Sequence, residues 1–311
     1  MGTGESKNTE STESMHWKSW FIRSGIGKFC FGKAGEWYDR FICTPEAVRR
    51  QAKVRQEQKA FGGLKFSVGI PHYNRGGRIY RPLFNLLDHP AVAEVVIVDD
   101  GSREEEFFKL QKFVDSLGCG NRVKVFRREE NRGALLTKLE CVEKCSSDWV
   151  LVLDSDNTAF RGYLNALGKL DELDAKVFYC ANWAFPFFPF HEFSELRMDF
   201  NKACEWTRGG VLKRVYILND GNYLVNRSAC MKVVGGIGPV ASDVADVMVV
   251  NYRWLSEGGG VEIISGVSYF HRVDDSSFWN RTAEESKRRV TEIYSLLEAG
   301  RRMEVGMFSK Q

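Results

Sequence analysis

The stretch that most constrains this chain is Trp149-Val-Leu-Val-Leu153, which runs directly into Asp154-Ser-Asp156. A short continuous apolar run that stops at polar residues is typical of a strand buried on both faces of a parallel sheet. In open sheets of this kind, ligands collect beyond the carboxyl ends of the strands. We therefore expect Asp154 and Asp156 to lie at a ligand-binding edge.

The spacing of these two aspartates indicates a specific chemistry. In an extended segment, residues two apart point to the same side. Both carboxylates are therefore predicted to face one spot, where a cation would relieve their repulsion. Oxygen ligands suit Mg²⁺ or Mn²⁺, especially when a diphosphate supplies further oxygens. The alternative is that Asp154 to Asn157 form only a polar turn that closes the strand.

Patterns typical of strands and helices alternate around this stretch. The predicted strands of the first half are 66–70, 92–98, 123–126 and 149–153, with helices at 79–87, 103–116, about 134–145 and 164–170. Such alternation predicts a mainly parallel sheet with right-handed crossovers. Further along, the predicted elements are strands at 177–180, 223–226, 261–264 and 267–271, a loop at 185–190, and helices at 239–257 and 283–299.

The composition argues against some classes of function. The chain has 311 residues, with 44 Lys/Arg against 41 Asp/Glu, and a net charge of +3 does not indicate a nucleic-acid binder. No window is apolar enough for a membrane span, and the N-terminus lacks the apolar core of a signal peptide. These features predict a cytoplasmic protein.

The region before the first predicted strand differs from the rest of the chain. Residues 1–14 are polar and are predicted to form a disordered tail. Residues 15–63 form an extension rich in aromatic and basic residues, with ten Lys/Arg against four Asp/Glu between residues 15 and 60. A helix is predicted from Pro45 to about Lys59. Such an extension suits peripheral contact with a membrane surface through residues 15–60; the alternative is that it packs on the main domain.

Polar clusters follow successive predicted strands. They are Pro71-His-Tyr-Asn-Arg75, Asp99-Asp-Gly-Ser102 and Asp154-Ser-Asp156, while Asn131-Arg-Gly133 opens the helix before the fourth strand. In this order and spacing, the clusters resemble the motifs of family 2 glycosyltransferases with the GT-A fold. The clear resemblance covers residues 66–157, and a looser one continues to His271. It implies an α/β protein of the GT-A type: a Rossmann-like, mainly parallel sheet flanked by helices, with a smaller acceptor-side subregion.

The resemblance also implies a domain organisation and an activity. The nucleotide-sugar-binding half would be 64–180, the acceptor and catalytic half 181–275, and the C-terminal helix 276–311. The implied reaction moves a sugar from a nucleoside diphosphate sugar, by family precedent a UDP-sugar, to an acceptor hydroxyl. It would use Mn²⁺ or Mg²⁺ and invert the anomeric centre by single displacement. The acceptor, whether glycan, lipid or protein, is left open.

Site residues carry over from the family position by position. The implied donor-binding positions are Pro71, Tyr73, Asp99, Asp100, Asn131, Gly133, Lys138 and Asp154. The implied metal ligands are Asp154, Asp156 and His271. In the family, the positions of Tyr73 and Asp100 contact the nucleoside base, and the aspartate accepts a base N–H. Residues 274–278 would form a lid.

The resemblance places the general base at the start of the long predicted helix. Counting back from Arg253 and Gly258, which resemble family positions, favours Asp246. The usual Glu-Asp pair is missing, however, so Asp243 stays an alternative base. A structural alternative is that one of these aspartates only caps the helix or complements its dipole.

Other classes of protein fit the sequence less well. A sugar-nucleotide pyrophosphorylase needs a Gly-rich phosphate loop after the first strand, and a dinucleotide-binding oxidoreductase needs G-x-G-x-x-G there. Residues 71–75 supply neither motif. A non-enzymatic alternative is a catalytically degenerate family member that acts as a sugar-binding or membrane-associated scaffold. The atypical stretch from Ser242 to Asp246 favours this alternative, and the intact Asp154/Asp156 pair opposes it.

Overall fold

The computed structural model describes residues 25–54, 61–186, 188–211, 215–237, 245–272, 283–304 and 307–308. Within these residues, one ten-stranded sheet has the order β3-β2-β1-β4-β9-β6-β10-β5, with β7 paired to β6 and β8 to β10. The strands are β1 Phe66–His72, β2 Val92–Asp99, β3 Val123–Arg127, β4 Trp149–Val152, β5 Thr158–Ala159, β6 Val177–Phe185, β7 Phe188–Pro189, β8 Arg197–Met198, β9 Tyr223–Asn226 and β10 Gly260–Phe270.

Helices cover both faces of this sheet. They are α1 Gly25–Phe41, α2 Pro45–Val54, α3 Tyr80–Leu83, α4 Glu104–Asp115, α5 Ala134–Lys144, α6 Arg161–Gly168, α7 Phe200–Arg208, α8 Arg227–Val234, α9 Asp246–Ser256 and α10 Ala283–Glu298. Short 3₁₀ turns lie at Gly76–Arg78, Gly120–Arg122, His191–Phe193 and Tyr216–Asn219. Within the described residues, no helix has both the length and the apolar composition that crossing a bilayer requires.

The first four strands confirm the parallel sheet predicted from the sequence. β3, β2, β1 and β4 lie side by side and run parallel. His72 at the end of β1 pairs with Asp99 at the end of β2. The amide of Leu153 donates to the carbonyl of Gly69 at 2.9 Å, just after β4. The polar clusters that follow these strands therefore gather at one edge of the sheet.

Alternate residues of these strands enter two separate apolar cores. Val96, Val98, Val150 and Val152 point into one core, and the residues between them in sequence point into the other. All four side chains are at most 2% exposed. Burial of each contributes about 1.5–3 kcal/mol. A strand apolar on both faces is stable only between two layers of helices, which is why the continuous apolar run predicted this architecture.

The second half of the sheet is mixed, which the sequence pattern did not predict. β9 lies between β4 and β6 and runs antiparallel to both. β10 is one strand where two were predicted, and its pairing with β6 shifts between Ile264 and Ser268 around Gly266, whose φ is +69°. The predicted loop at 185–190 contains the end of β6 and the short strand β7. The predicted boundary at residue 180 falls inside β6, and the division into halves stays a prediction.

The extension packs on the main domain through one side of α1. The Tyr38 ring stacks on Phe270, with centroids 5.3 Å apart and planes 5° from parallel. Asp39 forms ion pairs with Arg81 and Arg272. The extension is therefore integrated with the sheet edge that carries the polar clusters. The predicted tail, the start of the predicted helix 239–257 with Asp243, and the predicted lid at 274–278 lie outside the described residues.

Candidate functional site

The two aspartates that follow β4 lie in a tight turn. The amide of Asn157 donates to the carbonyl of Asp154 at 3.0 Å, so residues 154–157, here named the DxD turn, are not extended. The backbone here is a turn, not the strand-like segment from which the orientation of the carboxylates was predicted, and the expectation that both face one spot stays a prediction. The side chain of Asn222 fixes the turn: its Oδ1 accepts from the Asp154 amide at 2.9 Å and from Asn157 Nδ2 at 3.2 Å.

Each carboxylate of the DxD turn has its own cation. Arg75 from the loop after β1 reaches Asp156 at 2.7 Å. Lys138 Nζ lies 3.2 Å from Asp154 Oδ1 and 3.0 Å from Asp246 Oδ2. One lysine thus joins the DxD turn to the first residue of α9. This bridge brings together three residues that the sequence placed in one site.

The Lys138 side chain is 11% exposed and lies between two carboxylates. Burial alone lowers the pKa of its amine, but the charges of Asp154 and Asp246 raise it by more, so the pKa lies above its usual value. Lys138 therefore carries a full positive charge at any physiological pH. A fixed positive charge therefore lies where the DxD turn meets the start of α9.

Asp100 holds the loop that precedes α5. Its Oδ1 accepts from the Arg132 amide at 2.9 Å, and its Oδ2 accepts from the Gly133 amide at 2.9 Å. Arg128 also donates to Oδ1 at 2.9 Å. Gly133 has φ +95° and ψ 163°, a backbone conformation open essentially only to glycine. Contact with a base was predicted for Asp100 and stays a prediction. The hydrogen bonds described here join Asp100 to Arg128, Arg132 and Gly133.

Asp99 is fully buried and supports the site from beneath. His72 Nδ1 lies 2.7 Å from its Oδ1, and the Ser102 amide donates to its Oδ2 at 3.1 Å. Burial by itself raises the pKa of Asp99, but the hydrogen bonds from His72 and Ser102 lower it by more, to below its usual value. The Asp99 side chain is 0% exposed. Its part in donor binding stays a prediction.

The remaining predicted donor residues line the edge of the sheet. Tyr73 is 45% exposed and follows the end of β1, so its ring is available for stacking. Asn131 is exposed, and Pro71 is half-buried. Pro71 lies near the end of β1, Tyr73 follows the strand directly, and Asn131 lies on the loop that Asp100 holds. Their contact with a nucleotide stays a prediction.

His271 follows β10 and lies close to the DxD turn. Burial lowers the pKa of this imidazole, and the nearby charges of Asp156 and Asp154 oppose that shift. The ring packs edge-on against Phe188 and Tyr269, with centroids 5.7 and 6.0 Å apart. The structure therefore brings the three predicted metal ligands into one region.

A metal site made of protein groups alone is not formed by these residues. Among the side chains that the structure describes, no three His, Cys, Asp or Glu are arranged to hold an ion. The donor chemistry nonetheless fits a cation bound together with a diphosphate, because Mg²⁺ takes only one or two carboxylates in such sites. The Asp156 side chain is 18% exposed and forms an ion pair with Arg75 at 2.7 Å, so its carboxylate is accessible to such an ion.

Sequence reasoning missed the residues that fix the DxD turn from behind. Arg272 donates through Nη1 to the carbonyl of Asp156 at 2.9 Å and to the hydroxyl of Thr158 at 2.8 Å. Its Nη2 binds Asp39 of α1. Asn222 is the second missed residue. Neither has a local sequence signal, because their partners lie 65 or more residues away in the chain.

Asp220 is a further buried group behind the turn. Its Oδ1 accepts from the Asn222 amide at 3.0 Å and the Tyr269 hydroxyl at 3.1 Å. The pKa of this carboxyl is raised from 3.8 to about 7, and burial is the largest cause. The hydrogen bonds from Asn222 and Tyr269 oppose this shift, and the charge of Asp154 adds to it. A protonatable acid thus lies behind Asn222, the residue that holds the DxD turn.

The start of α9 presents Asp246 to the site. Ala245, just before it, has φ +56° and ψ 35°, a left-handed conformation that non-glycine residues seldom adopt. Such outliers cluster at functional sites. Asp246 is 15% exposed and bound to Lys138. Asp243, the alternative base, is outside the described residues.

Curated relatives share a limited part of this chain. The uncharacterized glycosyltransferase MG060 homolog of Mycoplasma pneumoniae is 30% identical over 112 residues, which cover 35% of this chain and 37% of that protein. The succinoglycan biosynthesis protein ExoU of Rhizobium meliloti is 34% identical over 112 residues, which cover 36% of this chain and 31% of that protein. The matches thus span about a third of each relative.

Solved structures with the same architecture include S. aureus TarS 1–349 in complex with UDP-GlcNAc. Its TM-score is 0.52 at 19% identity, with 76% of this chain and 66% of that chain covered. GalNAc-T7 with UDP, GalNAc and Mn²⁺ gives a TM-score of 0.50 at 15% identity, with 69% and 45% covered. At such identities the similarity concerns the fold, and it confirms the predicted GT-A architecture.

The sequence profile described as glycosyl transferase family 2 matches residues 67–229. The match begins within β1, includes the DxD turn and ends in α8. It therefore contains the polar clusters at the ends of the first four strands. Because the matched residues make up more than half of the chain, the protein belongs to glycosyl transferase family 2.

Proposed function

We propose that this protein transfers a sugar from a UDP-sugar to an acceptor hydroxyl and inverts the anomeric centre. The observation that carries the proposal is the Lys138 bridge, which joins Asp154 of the DxD turn to Asp246 at 3.2 and 3.0 Å. A donor-binding acid and a candidate base therefore lie on two sides of one cation. Family membership supports the reaction class. The complex of TarS with UDP-GlcNAc supports a UDP-sugar as donor.

The donor would bind across the carboxyl ends of β1, β2 and β4. The exposed Tyr73 ring is suited to stack on a base. Arg75 and Lys138 are cations placed beside the DxD turn, where a diphosphate carries its negative charge. The loop around Gly133 lets the backbone approach a ligand closely.

A divalent cation, Mn²⁺ or Mg²⁺, would be held by Asp156 and His271, with Asp154 on the ribose or sugar side. When bound, such an ion offsets the negative charge that grows on the diphosphate leaving group. Arg75 now neutralises Asp156. We therefore expect Arg75 to exchange its carboxylate partner for a donor phosphate when the ion binds.

The acceptor hydroxyl needs a base on the face of the sugar opposite to the leaving group. Asp246 is suited to this role, because it opens α9 at the rim of the site and is 15% exposed. Lys138 holds the Asp246 carboxylate in place through the 3.0 Å contact between its Nζ and Oδ2. The alternative base, Asp243, is three residues earlier in the sequence.

The first experiment is thermal melting of the full chain with UDP, GDP, CDP or dTDP, each with and without Mn²⁺. A ligand that binds only the native state raises the melting temperature. We expect a shift with UDP that increases when Mn²⁺ is present. No shift with any nucleotide would contradict the proposal and favour the scaffold alternative.

The second experiment measures release of UDP from UDP-sugars by three variants. Asp156→Asn is expected to abolish the stimulation by Mn²⁺. Asp246→Asn is expected to slow turnover by about 100-fold or more while UDP binding is retained. Asp174→Asn, which removes an exposed partner of Arg197, is the matched control and should behave as wild type. Full turnover by Asp246→Asn would move the base to Asp243 or elsewhere.

A further inference from the structure

The side of α1 that faces away from the sheet carries a compact aromatic surface. Trp37 is 57% exposed and Phe41 60%; these two residues are named the α1 face. The rings of Trp37 and Phe41 are 5.6 Å apart. Six large apolar side chains are exposed across the described residues, and two of the six are these neighbouring rings. Clustering of this kind marks interaction surfaces, whereas single exposed apolar residues do not.

The opposite side of the same helix is firmly anchored. Tyr38 stacks on Phe270, and Asp39 is 10% exposed within its ion pairs to Arg81 and Arg272. Residues 37 and 41 are one helical turn apart and share a side, from which 38 and 39 are turned away. The exposure of the α1 face therefore follows from how the helix is fixed to the sheet edge.

The charge of this region indicates what the α1 face binds. Residues 15–60 have ten Lys/Arg against four Asp/Glu, whereas the whole chain has 44 against 41. The rest of the chain is thus acidic on balance, and the positive charge is concentrated in this segment. The Arg40 guanidinium lies 5.3 Å from the Phe41 ring centroid, so positive charge adjoins the aromatic surface itself. Aromatic residues interleaved with basic ones match the interface of an anionic lipid bilayer.

We propose that the α1 face docks this protein on an anionic lipid bilayer. The segment lies outside the family match, which begins at residue 67, so the family does not supply this property. Docking would also bring the site to the lipid surface. Asp39 on the anchored side of α1 binds Arg272, and Arg272 binds the carbonyl of Asp156. The side chains of Asp39 and Arg272 therefore connect α1 to the DxD turn.

The test is flotation of the full chain with vesicles. One set contains phosphatidylcholine alone, and the other contains phosphatidylcholine mixed with phosphatidylglycerol. We expect the protein to float with the anionic vesicles and not with the neutral ones. High salt should release it from the anionic vesicles. No nucleotide is present in the assay, so its result does not depend on the proposed reaction.

Two variants locate the contact. Trp37→Ser combined with Phe41→Ser should lower the partition into anionic vesicles by about tenfold or more, because two exposed rings no longer insert. Its melting temperature should match that of wild type, since both side chains are exposed in the free protein. The matched control is Phe108→Ser, which removes a ring that is 65% exposed on α4 beside Glu104, Glu105 and Glu106. Flotation of this control should equal wild type.

Several results would overturn the proposal. One is that wild-type protein does not bind anionic vesicles at low salt. The others are that the double variant floats as well as wild type, or that the control loses as much binding as the double variant. A dimer in solution that becomes a monomer in the double variant would assign the α1 face to contact between copies of the chain instead.

Discussion

The pH dependence of stability should be dominated in one range by Asp220. Asp220 is 5% exposed, and the pKa of its carboxyl is raised from 3.8 to about 7. The folded state therefore holds a proton that the unfolded state has released. The stabilisation is fully present below the unfolded pKa and is lost as the pH rises through the folded pKa. Since one pKa unit corresponds to about 1.36 kcal/mol, the wild type should lose about 2 kcal/mol between about pH 5.5 and about pH 8 from this group.

The perturbation that isolates this effect is Asp220→Asn. The amide is neutral at every pH, and its oxygen still accepts from the Asn222 amide and the Tyr269 hydroxyl. Urea unfolding at the two pH values should show the loss in wild type and a smaller loss in the variant, by about 2 kcal/mol. Asp115→Asn, at an exposed carboxylate on α4, is the control. Equal losses in wild type and Asp220→Asn would refute the reasoning.

Three further changes test contacts around the site. Asp39→Asn leaves the guanidinium groups of Arg81 and Arg272 without their carboxylate, and urea unfolding should show a loss of about 3 kcal/mol. Lys138→Met leaves two partly exposed carboxylates unpaired, and the loss, about 2 kcal/mol after allowance for solvent screening, should shrink when Asp246→Asn is added. Gly101→Ala should cost about 2 kcal/mol or more, because φ is +68° and a Cβ would lie 2.7 Å from a backbone carbon.

Each of these changes has a matched comparison. Glu36→Gln removes an exposed acid from the same helix as Asp39 and should leave stability unchanged. If both variants lose the same stability, the buried ion pairs are not the cause. If Lys138→Met costs as much stability when Asp246→Asn is also present, the two side chains are not coupled. Gly118→Ala, at φ +63° but with open space around the glycine, separates backbone strain from the clash at Gly101.

The first half of the fold was predictable because its signal is local. Strands β1, β2 and β4 are largely apolar, stop at a polar cluster and are buried on both faces of the sheet, so periodicity and burial coincide. The same logic located the edge where Asp99 and Asp154 lie. It predicted β9 at Tyr223–Asn226 but not its antiparallel pairing, because four residues carry no information about the direction of pairing.

The sequence predicted the residues of each motif in the site, but not the contacts between distant parts of the chain. Asp154 and Asp156 stand out by composition, but the turn that contains them is held by Asn222, which lies 68 residues after Asp154 and 65 after Asn157. Asp99 was assigned to the donor by resemblance to the family, and the structure adds its buried contact with His72. Pairings across the fold decide these roles, and a sequence pattern does not encode them.

The ion pairs of Asp39 have a consequence for where the folding unit begins. A shortened protein that starts at the family match would lose α1, and with it the ring that covers Phe270 and the only carboxylate described beside Arg272. The DxD turn of this shortened protein would then contact the Arg272 guanidinium without its Asp39 counterion, at a sheet edge that α1 no longer covers. We therefore expect the smallest independently stable unit to begin upstream of the family match, at α1, so that boundaries drawn from family similarity alone would remove contacts that support the DxD turn.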